Sequence, residues 1–110
     1  MTRQEVGACA LALPATTSVV QWGGSDVYKV GGKVFAIVGD DAMSFKVTEI
    51  AFMVLTEGGL GRQAPYCAKG QWVAIDLAPA EAGDVADWLA TAHGLIAAKL
   101  TRKLRAELGL

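Results

Sequence analysis

One histidine and two cysteines are the only imidazole and thiol groups in this 110-residue chain. Cys9 and Cys67 stand apart, without the paired spacing of a zinc site, and His93 cannot complete one with them. No metal and no cofactor are therefore expected. Two isolated cysteines read as reduced, mostly buried thiols, which suits a cytoplasmic protein. Long apolar runs are missing too, so no membrane partner is expected. Val6-Gly7-Ala8-Cys9 bears a faint likeness to a lipoprotein cleavage box. Glu5 sits directly before that run, however, and only Arg3 precedes it, so the segment reads as a short amphipathic helix. An excess of either charge is also absent, the formal net charge being −1. That argues against a dedicated high-affinity duplex binder, which needs clustered Lys and Arg, while allowing a local basic patch.

What the chain does have is apolar content: 53% hydrophobic against 19% charged residues. That balance describes a folded globule, and the length suits one domain over residues 1–110 that buries a core without staples. The most informative stretch is Val27 to Val38, where two β-type runs flank Gly31-Gly32. Glycine reaches the positive-φ wells that a two-residue reverse turn requires, so the stretch predicts a tight hairpin.

Other elements follow from local signals. Thr2 and Glu5 make a capping box for a helix that stops before Pro14. Thr16 to Trp22 is β-rich. Gly39 to Ala42 is a turn, Met43 to Val47 a strand, and Thr48 caps a helix over about Glu49 to Thr56. Glu57 to Ala64 is glycine-rich and reads as a mobile loop. Pro65 to Lys69 and Gln71 to Leu77 read as strands turning at Lys69-Gly70. After Pro79, an apolar stripe from Val85 to Leu108 predicts a long helix that Gly94 is placed to kink or split. The resulting fold class is α+β: a two-layer sandwich with an antiparallel sheet of about five to six strands and helices on one face.

Alternation along the strands then sorts the side chains. A regular hairpin pairs Tyr28 with Phe35. It puts Val27, Val34, Ala36, Val38, Met43, Phe45 and Val47 toward the helices. Tyr28, Val30, Lys33, Phe35, Ile37, Ser44 and Lys46 fall on the opposite face, where Trp72 and Lys69 of the second hairpin can join them. Aromatic rings stack on bases and lysines neutralise phosphates, so Lys33, Phe35, Lys46, Lys69 and Trp72 form a candidate nucleic-acid site. The same face also suits a protein partner or a homodimer. A bulge in the hairpin would change the assignment.

The remaining candidates have plainer readings. Lys99, Arg102, Lys103 and Arg105 complement the carboxyl end of a helix that begins with Glu81, Asp84 and Asp87. His93 lacks a neighbouring nucleophile or orienting acid and reads as a surface or capping residue. Asp40-Asp41 is a solvated turn pair. Gly58-Gly59-Leu60-Gly61-Arg62 lacks the Gly-Lys-Ser/Thr ending of a phosphate loop. No acid/base or metal constellation appears, and an enzyme is not expected.

Several segments in series resemble the MmcQ/YjbR family of small bacterial proteins. They are Ala12-Leu13-Pro14, Val20-Gln21-Trp22-Gly23, Tyr28 to Ala36, Met43-Ser44-Phe45-Lys46, Ala64-Pro65-Tyr66 and Gln71 to Leu77. Trp22, Phe35, Lys46 and Trp72 match recurring family positions. The chain departs from the family at Ala92-His93-Gly94, where members often carry a Ser-Tyr pair. The resemblance implies a compact α+β fold like those of secretion chaperones and CyaY. It also implies DNA binding, for which a double-wing arrangement is the suggested reason. The expectation is a non-enzymatic protein that binds DNA or another nucleic acid weakly. The alternative is a protein-interaction or homodimerisation module using the open sheet face.

Overall fold

Capping chemistry and turn glycines divide the chain into short elements. In the computed structural model, which describes residues 1–110, helix α1 (Arg3–Leu11) starts at Thr2. The Thr2 hydroxyl accepts from the Glu5 amide, and the Glu5 carboxylate accepts from the Thr2 amide, completing the expected capping box. Four strands follow: β1 (Thr16–Gln21), β2 (Ser25–Val30), β3 (Lys33–Val38) and β4 (Ala42–Lys46). Thr48 then caps α2 (Glu49–Glu57) through the Ala51 amide. Strands β5 (Gly61–Gln63) and β6 (Trp72–Asp76) precede α3 (Ala82–Ala97) and α4 (Arg102–Glu107).

The strands form one six-stranded antiparallel sheet in the order β1-β2-β3-β4-β6-β5. All the helices packed on it lie on one face. Helix α1 covers β1 to β3 and touches α3, which lies over β3 and β4, while α2 covers β5 and β6. The expected α+β two-layer architecture is present. Its core joins Val6 and Ala10 of α1 to Leu89, Ala92 and Ile96 of α3 over the strand residues Val38, Met43, Phe45, Val73 and Ile75. Trp88 stacks on Phe45, with centroids 5.6 Å apart and planes 15° apart. Such a pair adds about 0.5–1.5 kcal/mol beyond its area burial.

The Gly31-Gly32 turn is as expected, with φ of 58° and 78°. A Cβ on Gly31 would lie 2.6 Å from Leu100 Cδ1, so the turn is also the seat for the residue that follows α3. Helix α3 runs through Gly94 without a break. The break comes instead after Ala97, and the Thr101 hydroxyl, accepting from the Leu104 amide, restarts the chain as α4.

Two expectations about the middle of the chain are corrected. Pro65 to Lys69 is a loop, and β5 forms earlier, within the stretch read as a mobile loop. Pro65 cannot donate a ladder hydrogen bond, and Tyr66 has a φ of 61° that no strand accommodates. Gly61 pairs with Ile75 because it has no side chain: a Cβ there would lie 2.6 Å from Val73 Cγ1.

Candidate functional site

One extra residue in β3 decides what each sheet face carries. From Val30↔Lys33 to Lys29↔Val34 the hairpin is regular, and then Tyr28 pairs with Ala36. Phe35 is left over as a β-bulge. A bulged residue turns toward the same side as its successor and adds local bend and twist. Phe35 therefore joins Ala36 under the helices, with 0% exposure, and meets His93 edge-on at 5.3 Å and 78°. The expected pairing of Tyr28 with Phe35 is corrected. Tyr28 and Val30 belong to the helix side, and Val27 and Val34 belong to the open side.

Phe35 thus has no ring face to offer a ligand, and its place in the candidate site is withdrawn. Tyr28 is enclosed as well. Gly7 of α1 sits over its hydroxyl, where a Cβ would come within 2.7 Å of the oxygen, and burial pushes the phenol pKa up. His93 is corrected from surface to interior. Its Nε2 lies 2.7 Å from the Pro14 carbonyl oxygen, which can only accept, so Nε2 carries the proton.

The open face is concave and largely apolar. A groove of about 700 Å³ runs over its middle, floored by Val34, Ile37 and Ser44. Trp22 and Ser25 of the β1–β2 connection form one wall. Pro65, Tyr66 and Cys67 form the other, with Trp72 beside the floor. Trp22 is 63% exposed and Tyr66 is fully exposed. Both have a left-handed backbone, with φ of 49° and 61°. Such a conformation costs an L-residue roughly 1–2 kcal/mol, and strained residues of this kind gather at binding sites. Only Ala15 shares this conformation among the other non-glycine residues. The loop behind Tyr66 is held by Gln63, whose amide spans to the Ala64 and Cys67 carbonyls and accepts from the Gly70 amide. Burial raises the Cys67 thiol pKa, which keeps it protonated and a poor nucleophile at neutral pH.

Charge is sorted along the strands. Lys29 stands opposite Val34 of the groove floor, and Lys46 stands opposite Trp72. Lys33 opens β3 opposite Val30, so its expected place on the open face is corrected to the helix side, and Lys69 lies in the loop before β6. Lys99 approaches from the end of α3. No ion pair neutralises these lysines, since the three ion pairs join Arg3 to Asp26 and Asp40, and Arg62 to Asp76. Lys46 is 8% exposed, and its ammonium donates to Gln71 Oε1 at 2.6 Å. Burial, and then the charge of Lys99, holds its pKa below the usual lysine value. The opposite end of the sheet gathers acids: Asp26 at the start of β2, Asp40 and Asp41 after β3, and Asp76 at the end of β6. A net charge near zero thus conceals a molecule with a basic pole.

A family model for YjbR matches residues 11–95, which include every strand and most of α3. The chain belongs to the YjbR family. It is similar to the crystal structure of Deinococcus radiodurans protein DR2400, of the family-model domain DUF419. The two share 20% identity with a TM-score of 0.84, over 99% of this chain and 88% of that one. That likeness is one of fold. No curated protein matches the chain.

In this YjbR chain, four of the five residues expected at the site stay near one another. Trp72 lines the groove, Lys46 is its cross-strand partner, Lys69 precedes them at the same end of the sheet, and Lys33 starts β3 at that end but on the helix side. Sequence reading missed Lys29, Trp22 and Tyr66 as site residues. Lys29 was visible as an apparent break in an apolar pattern, which the bulge explains. Trp22 beside Gly23-Gly24 carried a turn signal but no sign of its left-handed backbone. No helix is long and apolar enough to cross a membrane.

Proposed function

We propose that this YjbR protein binds nucleic acid non-enzymatically, taking a short single-stranded segment across the open face of the sheet. Bases stack on Trp22, Tyr66 and Trp72, and phosphates meet Lys29, Lys46 and Lys69 at the basic pole. The reading is carried by one observation: two exposed aromatic residues held at positive φ on opposite walls of a groove that opens toward unpaired lysines. Aromatic platforms beside a cationic end are what sequence-tolerant strand binding uses. A phosphate near Lys46 and Lys99 also relieves the repulsion of two neighbouring ammonium groups.

Three phosphate contacts give a salt slope of about −2 for a single strand, so binding falls roughly 20-fold between 50 and 200 mM salt. Tryptophan fluorescence, titrated with single- and double-stranded DNA oligonucleotides at low salt, tests this. Quenching should be stronger with the single strand, decline with salt at that slope, and be lost in Lys29→Glu/Lys69→Glu. No response at low salt overturns the proposal.

The apolar floor of Val34 and Ile37 favours a second reading, in which the groove takes an apolar segment of a protein partner. That binding would persist at high salt and be lost in Ile37→Lys.

A further inference from the structure

We infer that the protein forms a homodimer by pairing the β1 edges of two copies into one continuous sheet. Strand β1 ends the sheet, so its outer row of N–H and C=O groups has no strand to bond. Natural edge strands are usually blunted by a charge, a proline or a bulge. Thr16-Thr17-Ser18-Val19-Val20-Gln21 has none of these, and its β1–β2 register is unbroken. Its middle four residues are exposed, including Val19 at 40% and Val20 at 65%. Helix α1, which lies nearest that edge, exposes Leu11 on the same molecule.

The partner is a second copy because β1 is self-complementary: paired antiparallel with itself, its exposed valines stay at the centre and its polar ends meet each other. Two antiparallel β1 strands are related by a two-fold axis perpendicular to the sheet. An exposed strip on α2, formed by Ile50, Met53 and Val54, competes less well. Antiparallel self-pairing there would set the Glu49 end of one helix against the Glu57 end of the other.

Symmetry also sets the register. Thr17, Val19 and Gln21 share the open face, being opposite Lys29, Val27 and Ser25, whereas Ser18 and Val20 share the helix face. Directly opposed residues in a sheet point to the same side, so the axis must pass beside one residue and not between two. Placing it at Val19 sets Val19 against its own copy, Ser18 against Val20, and Thr17 against Gln21. That register buries the apolar pair on the open side and matches polar neighbours at its ends. It also leaves both grooves on one face, with the two Trp22 walls flanking the seam.

The test is oxidative cross-linking of the full chain with Cys9 and Cys67 changed to serine. Val19→Cys should give a disulfide-linked dimer, because opposed Cβ atoms lie about 4.5–5.5 Å apart. Ser18→Cys and Val20→Cys should cross-link at least 10-fold less. Without added cysteines, sedimentation should show mass rising toward twice the monomer with concentration. The dimer should disappear in Val20→Lys, whose exposed site spares the fold. A monomer at all concentrations up to 1 mM, a dimer that survives Val20→Lys, or preferred linking through Ser18→Cys each overturns the inference.

Discussion

Tyr66→Gly is expected to make the protein more stable and a poorer binder of nucleic acid. The tyrosine ring is fully exposed, so its removal forfeits no buried contact. Its backbone sits at φ 61°, where an L-residue is strained by roughly 1–2 kcal/mol and glycine is not. Against this relief stands the greater freedom of glycine in the unfolded chain, roughly 0.5–1 kcal/mol. The balance favours the variant by about 0.5–1 kcal/mol, which for a domain of this size raises Tm by about 3–6 °C. Loss of a stacking ring costs about 1–3 kcal/mol of binding, or roughly 5- to 150-fold in Kd. Calorimetry and the oligonucleotide titration read the two effects on one sample. A lowered Tm would refute the strain argument. An unchanged Kd alongside measurable wild-type binding would remove Tyr66 from the interface.

Phe35→Ala should destabilise the fold by about 3–5 kcal/mol in urea denaturation, since it empties a fully buried site beside His93. An exposed stacking residue would cost far less. Lys46→Met is expected to hold or raise stability at neutral pH, because the folded protein disfavours the ammonium. With its folded pKa below the unfolded one, wild-type stability should climb as pH rises through the folded value toward the unfolded value, and the variant should lack that climb in chemical denaturation. Asp26 gives a slope of the same sign, in the acid range. A hydrogen bond from Arg3 holds its carboxyl below the usual range, so its contribution is full above the ordinary aspartate pKa and lost as pH falls through the folded value. Asp26→Asn should flatten that part of the acid unfolding curve.

Much of the architecture follows from local chemistry that any reader of the chain can apply. The capping box at Thr2, the cap at Thr48, the paired glycines at the β2–β3 turn and the stripe of α3 each act over a few residues. The side of the sheet on which Phe35 lies does not act locally. A bulge needs no glycine or proline, and its energy comes from filling the space beneath His93 on a helix nearly sixty positions later. Counting by twos therefore fails at that residue and misplaces β2 with it. Strand β5 was hidden for a related reason. Gly61-Arg62-Gln63 has poor β-formers, and it is ordered by the free edge of β6 and by the room that Gly61 leaves for Val73. Lys46 and Trp72 kept their neighbourhood because β4 and β6 pair without a slip.

The surplus residue in β3 also determines where the chain can be shortened. Deleting Phe35 would let Tyr28 and Ala36 follow Lys29 and Val34 as ordinary rungs, and every other strand residue would keep its side. Deleting a residue from β2 or β4 would turn part of the ladder inside out. Keeping register does not keep stability: the deletion empties the core site beside His93 as Phe35→Ala does, and it also removes the kink that curls the strands around the trough. A shortened protein would be flatter, with Trp22 and Tyr66 splayed apart, and length at this one point would become a control on the shape of the cleft.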